Sequence, residues 1–258
     1  MTPSDLPHEK WRNSKTFHWF SALLILLLSC ALIGCEYFFN QQMLSRDGSG
    51  YLIYAHEVLT NGWQNAAMRY PNMSSYPPLL VLLMYWAGLI GIDCETAGRA
   101  LNIIGMVLTA QGVLVLCREL YRDKFTALLT AAAVTAMPKM YIEGCDILRD
   151  PLFWAEITFA AALIVKTARE GLPVSVILRN IILLAILCSL AVITRKEGVF
   201  FAVLAILWLL ILFPSPTRRC RAVMLGIFLL LTPLPALLVT LSDIPWQIST
   251  SFIPETEH

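Results

Sequence analysis

Residues 176–194 read VILRNIILLAILCSLAVIT and residues 199–213 read VFFAVLAILWLLILF, with only Arg195-Lys196-Glu197-Gly198 between them. Each run approaches the roughly 20 apolar residues that a helix needs to cross a bilayer core. Backbone in hydrocarbon must satisfy its own N–H and C=O groups, so the two runs read as helices and the polar residues between them as a tight turn at a membrane surface. The same criterion, carried outward, marks runs at about 18–39, 100–117, 125–142, 151–167 and 222–241, which makes seven spans. An eighth run, at 78–91, is shorter and suits an interfacial or re-entrant helix. The expected fold class is an all-α integral membrane protein of about seven transmembrane helices. A large outer loop, about 40–99, is expected to carry amphipathic or re-entrant helices.

Composition agrees with lipid as the main solvent. Of 258 residues 57% are hydrophobic and 14% charged, with a mean hydropathy of +0.67, beyond the apolar share of an ordinary soluble domain. The formal net charge is +1 and the basic residues fall in short separated clusters, which gives no face for nucleic acid. With a cytoplasmic N-terminus, twelve of the 19 Lys and Arg lie inside, among them Lys10, Arg12, Lys15 and the cluster Arg218, Arg219 and Arg221. If 78–91 crossed, every later loop would invert and that cluster would face outward, so the run is expected not to cross. Residues 1–17 then form a cytoplasmic N-terminus, 18–241 the membrane module and 242–258 a short outer tail. The first span reads as an uncleaved signal anchor in the plasma (inner) membrane. Leu32-Ile33-Gly34-Cys35 fits a lipoprotein cleavage box, a four-residue pattern that recurs by chance in apolar segments. The seven cysteines include no C-x-x-C pair and no Cys/His cluster, so neither a zinc site nor a disulfide framework is indicated. Cys94 and Cys145 both fall in outer segments, where a bridge and two free thiols are both open.

Long loops usually carry function. Ser45-Arg46-Asp47-Gly48-Ser49-Gly50-Tyr51 precedes Leu52, Ala55, Val58 and Leu59 at helical spacing, and Asn61-Gly62 stops that helix. Asp47 just before it reads either as a cap or turn former or as a functional acid. A second outer constellation is Glu143-Gly144-Cys145-Asp146-Ile147-Leu148-Arg149-Asp150-Pro151, in which Asp150 reads as an N-cap with Pro151 at N1 or as a second site acid. The topology puts Asp47 and Asp150 on one membrane face with Arg99, Arg149, Arg195 and Lys196. Tyr51, Tyr76, Glu143 and Asp146 are further candidates for the same cavity. So is Glu156, one turn inside the fourth span, because a carboxyl in hydrocarbon must face the bundle interior or water. Cations that hold a phosphate leaving group and a carboxylate that orients or deprotonates an attacking hydroxyl or amine suit a polyprenyl-phosphate donor.

These stretches resemble the GT-C superfamily of membrane glycosyltransferases, in particular the protein O-mannosyltransferases and the bacterial aminoarabinose transferases that modify lipid A. Arg46-Asp47-Gly48 with Tyr51 looks like the first outer-loop acid and its helix, Tyr76-Pro77-Pro78-Leu79 like the loop's closing segment, and Arg99-Ala100-Leu101 like the arginine that opens the next span. Leu120-Tyr121-Arg122-Asp123-Lys124, Ile147-Leu148-Arg149-Asp150-Pro151 and Thr194-Arg195-Lys196-Glu197-Gly198 follow in the family's order. The resemblance covers about residues 20–213. It implies an inverting transferase that uses a polyprenyl-phosphate-linked sugar at the extracytoplasmic face, with Asp47 at the acceptor, Asp150 beside it, and Arg99, Arg195, Lys196 and Arg149 at the phosphate. Two departures leave sugar and acceptor open: Gly48 stands where the mannosyltransferases place a second acid, and no Lys precedes Pro77. Family members continue into a further membrane region and an outer domain, so the resemblance is to their N-terminal half and admits a second chain supplying the rest. No D-x-D occurs in the outer loop, so a divalent metal is not indicated and no cofactor is expected. Two other classes fit the composition. One is a non-catalytic module that binds polyprenyl lipid or a partner chain. The other is a transporter, for which paired interrupted helices are missing.

Overall fold

The computed structural model describes residues 15–40, 44–121, 123–169, 172–211, 213, 218–241 and 244. Most of the expected N-terminus and outer tail, with Lys10, Arg12 and Arg122, lies outside the described residues. The described chain is all α. Helix α1 is Lys15–Asn40; four short helices follow, α2 Arg46–Asn61, α3 Trp63–Arg69, α4 Pro71–Ser74 and α5 Leu79–Leu89. Then come α6 Cys94–Leu120, α7 Lys124–Thr135, α8 Pro138–Ile142, a 3-10 turn Glu143–Cys145, α9 Asp150–Thr167, α10 Val174–Thr194, α11 Gly198–Ile211, α12 Arg218–Leu231 and α13 Leu234–Leu241.

Four stretches are long and apolar enough to cross a membrane: Lys15–Phe39, Cys94–Leu120, Val174–Thr194, and Arg221–Val239 through α12 and α13. Their outer faces carry exposed Leu23, Leu27, Ile104, Leu183, Leu229 and Leu230, a surface suited to lipid rather than water. The run expected at 125–142 is instead two helices meeting at 63°. The reason is Pro138: the residue before a proline avoids the helical region, and Met137 is extended, with φ −64° and ψ 133°. Helix α9 is 18 residues long but carries Asp150, Glu156 and Lys166, a charge load that separates it from the four apolar spans. Helix α5, 11 residues, is about 16 Å long at 1.5 Å per residue, too short to cross a bilayer core alone.

The sharpest packing feature is the face that α6 turns to the turn at 143–148 and to α9. Gly98, Asn102, Gly105, Thr109 and Gly112 recur at spacings of four and three, so they form one stripe. Side chains across it come so close that a Cβ on Gly98 would meet Ile147 at 2.9 Å, on Gly105 the Pro151 and Leu152 backbone at 2.9 Å, and on Gly112 the Thr158 hydroxyl at 2.3 Å. The polar members of the stripe are satisfied. Asn102 donates to the Glu143 carbonyl and accepts from the Leu148 N–H at 3.0 Å, and the Thr109 hydroxyl lies 3.1 Å from the Pro151 carbonyl. Small residues that admit close backbone approach are how helices associate where lipid removes the hydrophobic drive. Gly105→Ala is therefore expected to destabilise the fold by about 1–3 kcal/mol, the cost of overpacking against backbone that cannot yield. Gly34→Ala, on an exposed face of α1 with nothing within 4 Å, is expected to be neutral or stabilising. Thermal melts of the two variants in detergent check this, and equal melting temperatures would remove the stripe from the account.

Two apolar clusters flank the stripe. One, with Ile181, Leu184, Cys188, Ala205, Leu209 and Phe228, joins α9 through α12. The other, with Tyr51, Tyr54, Val58, Leu80, Met84, Ala97 and Ile147, binds α2 and α5 to α6. Gly62, the expected stop of α2, has φ 80° and donates its N–H to Val58, a conformation that glycine adopts freely. Cys94 and Cys145 are both buried free thiols, which settles the alternative left open above.

Candidate functional site

Three stretches far apart in sequence meet around the phenol of Tyr51. The first is the start of α2. Ser45 is its N-cap, accepting from the Gly48 N–H at 3.0 Å, so the cap reading of Asp47 is corrected: Asp47 sits in the first turn, exposed, and accepts no hydrogen bond among the described residues. A serine two residues earlier had the right spacing to bond N3, which frees the acid for other work. Asp47, Arg46, Tyr51, Arg69, Tyr70 and Tyr76 line a cavity of about 490 Å³. The Tyr51 and Tyr76 ring centroids are 6.2 Å apart.

The second stretch is the start of α9. Here too the cap reading is corrected. Arg149 holds the N-cap position without a side-chain cap bond, Asp150 is the first helical residue, and Pro151 lies in the first turn where its missing N–H costs nothing. Freed from capping, Asp150 forms an ion pair with Arg195. The Arg149 guanidinium stands 4.8 Å over the Tyr76 ring. Its Nη1 is buried and has no hydrogen-bond partner among the described residues.

The third stretch is the turn after α10, where Arg195 binds Asp150 and also Glu197 at 3.0 Å, with its guanidinium over the Phe153 ring at 5.5 Å. Hydrogen bonding from Arg195 holds the Glu197 carboxyl below the usual carboxylate range. Burial pushes the Tyr51 hydroxyl up to about 12; the Arg149 charge opposes the shift, and Tyr76, Asp47 and Asp150 add to it. One neutral, buried phenol thus feels groups from the first two stretches and couples to the third through Arg195, and it can donate a hydrogen bond throughout the physiological range.

Of the residues singled out from sequence, Asp47, Tyr51, Tyr76, Arg149, Asp150 and Arg195 come together. The others do not join them. Arg99 lies one turn inside α6, which begins at Cys94; it donates to the Cys145 carbonyl at 2.8 Å and pairs with Glu95 at 2.9 Å, so it fastens the 143–148 turn. Glu143 pairs with Lys139 at 3.0 Å. Asp146 accepts from the N–H of Ile147 at 2.7 Å and of Ser45 at 3.3 Å, tying that turn to the head of α2. Lys196 is exposed, with no partner among the described residues. Glu156 is buried in α9 and bonds Thr194. Asn102 and Glu197 were passed over. A lone amide inside an apolar run was the available signal for the first, and an acid two residues after Arg195 for the second.

Among the described residues no three His, Cys, Asp or Glu side chains converge as metal ligands. Beside the polar cavity a narrow gap, lined by Tyr51, Tyr54, Tyr76, Trp63, Pro78 and Ile244, shares Tyr51 and Tyr76 with it. Through Trp63 and Ile244 the gap also borders an apolar groove of about 720 Å³ between α5, the end of α10 and α13. Leu79, Leu82, Leu190, Ile193 and Val239 wall that groove. Comparison with protein-family models, curated proteins and solved structures finds no match for this chain, so the functional reading rests on its own residues.

Proposed function

We propose that the chain transfers a sugar from a polyprenyl-phosphate-linked donor to an acceptor at the extracytoplasmic membrane face, with inversion at the anomeric carbon. One observation carries this reading: carboxylate, guanidinium and phenol groups converge on a polar cavity that adjoins, through an aromatic gap, a groove lined by hydrocarbon. A ligand with an anionic head and a long apolar tail matches that sequence of surfaces. The seven-span topology with a cytoplasmic N-terminus puts α2–α5, the 143–150 turn and the 195–197 turn on one outer face. It is supported by a helix or broken helix at every one of the seven runs and by the shortness of α5.

In this reading the head of the donor lies beside Arg149 and Tyr51, and the isoprenoid tail in the groove. The acceptor oxygen or nitrogen attacks the anomeric carbon from the face opposite the phosphate, and its proton passes to Asp47. The bond from the anomeric carbon to the phosphate oxygen breaks, and its electron pair leaves with polyprenyl phosphate. The Arg149 guanidinium and the Tyr51 hydroxyl stabilise the charge that develops there. Asp150 and Glu197 hold Arg195 at the edge of the site.

The full chain, purified into nanodiscs, is tested with labelled mannosyl, glucosyl and aminoarabinosyl polyprenyl phosphates and a membrane extract as the acceptor source. Release of polyprenyl phosphate with label transferred to an acceptor is expected. Failure to bind or turn over any of the three donors would overturn the reading.

A further inference from the structure

Glu156 is the deepest charged group near the site, and nothing in the proposed chemistry uses it. It is 7% exposed and Thr194 is fully buried. The Thr194 hydroxyl lies 2.9 Å from Glu156 Oε1 and 2.7 Å from its own helix's Leu190 carbonyl. Glu156 Oε2 has no hydrogen-bond partner among the described residues. A carboxyl in an apolar helix is costly, and a hydroxyl or an alanine would join α9 to α10 with less penalty.

What the carboxyl accomplishes is visible one residue further on. Thr194 ends α10, and Arg195 leaves the helix in extended conformation, with φ −146° and ψ 143°. Consecutive residues at the end of α10 are thus gripped at two levels of α9: Thr194, its last residue, by Glu156, and Arg195, the next, by Asp150, which stands about 9 Å nearer the start of α9 at 1.5 Å per residue. The turn beyond is tight as well. Gly198 donates to the Arg195 carbonyl at 2.9 Å, and a Cβ on Gly198 would fall 2.3 Å from the Ala191 carbonyl. Slack in the turn is therefore small, and the level at which Thr194 is held decides where Arg195 emerges.

We infer that Glu156 is a positioning residue that acts through Thr194 to set the placement of the Arg195 guanidinium against Asp150. Its consequence for the donor rests on the function proposed above; the grip itself does not. Glu156→Gln keeps an acceptor oxygen in the same place, whereas Glu156→Leu and the nearly isosteric Thr194→Val each remove one side of the contact.

The experiment measures the rate at which phenylglyoxal modifies Arg195 in the full chain in detergent, read by peptide mass spectrometry, with exposed Arg69 as internal reference. Glu156→Leu and Thr194→Val are each expected to raise the Arg195 rate about threefold, the population change that loss of an interhelical hydrogen bond in a membrane allows. Glu156→Gln is expected to leave it at the wild-type value. Should Glu156→Leu fail to fold, Thr194→Val carries the test alone. Wild-type rates in both disrupting variants, or a Gln variant as reactive as the Leu variant, would overturn the inference. Donor turnover separates the two ideas: a wild-type protein that releases no polyprenyl phosphate removes the proposed function and leaves the grip to stand or fall on the Arg195 rates. With turnover present, Glu156→Leu is expected to raise KM for the donor with kcat little changed, and Glu156→Gln to restore it.

Discussion

On the proposed function, Asp47→Asn is expected to lower sugar transfer by about 10²–10⁴-fold, the range for loss of a general base, and to leave donor affinity and melting temperature close to wild type. The separation of the two effects follows from the position of Asp47. It is exposed in the first turn of α2, and the cap bond of that helix comes from Ser45. The substitution therefore removes a negative charge at nearly constant volume without releasing a backbone N–H. Its cost to the helix is at most the favourable interaction of an acid with the N-terminal dipole, about 0.3–1 kcal/mol. The check is steady-state release of polyprenyl phosphate alongside donor binding and a thermal melt. Equal turnover by the two proteins would remove Asp47 from the chemistry. A large fall in melting temperature would instead return it to a structural role.

The architecture was readable where a single physical constraint dominates. Backbone in lipid must be helical, and each of the four stretches long and apolar enough to cross a membrane lies on a run marked from sequence. The break at Met137–Pro138 was legible in principle, because Pro138 is in plain view, but apolarity alone reads straight through a proline. The stripe Gly98, Asn102, Gly105, Thr109, Gly112 was equally present as a spacing. Periodicity in a membrane helix marks the face that packs only once small residues are counted instead of large ones.

The site divides in the same way. Asp47, Tyr51, Tyr76, Arg149, Asp150 and Arg195 stood out because polar groups are scarce in such a chain, and the four stretches that bear them meet. What sequence could not convey is which charges are already spent. Arg99 and Arg195 look equivalent as letters, yet one is bound to Glu95 and the Cys145 carbonyl and the other to Asp150 and Glu197. Pairing depends on distances across the fold, not on neighbours along the chain. Gly48 shows the reverse. The sequence resemblance would expect an acid there, and a Cβ at Gly48 would fall 2.2 Å from Asp146 Oδ1. A carboxylate from the 143–148 turn already occupies the space that a second acid on α2 would need.

That distinction between spent and unspent charge ranks cations that sequence alone leaves level. Arg149→Ala is expected to weaken donor binding about 10–100-fold, the worth of a charge-assisted hydrogen bond to phosphate, with little change in melting temperature. Among the described residues Arg149 has no carboxylate within ion-pair distance and its Nη1 is buried without a partner, so apart from its contact with the Tyr76 ring its loss removes only the interaction proposed with the ligand. Arg195→Ala is also expected to weaken binding, for a different reason: it leaves Asp150 and Glu197 without their counter-ion beside the proposed phosphate position. Asp150→Asn added to Arg195→Ala is then expected to recover most of the lost affinity, because it removes one of the orphaned charges. Added to Arg149→Ala it recovers nothing. Donor titrations on the two double-mutant cycles read the difference directly. If Arg149→Ala binds donor like wild type while Asp150→Asn fails to rescue Arg195→Ala, Arg195 is the phosphate ligand and its pairing with Asp150 gives way when the donor arrives.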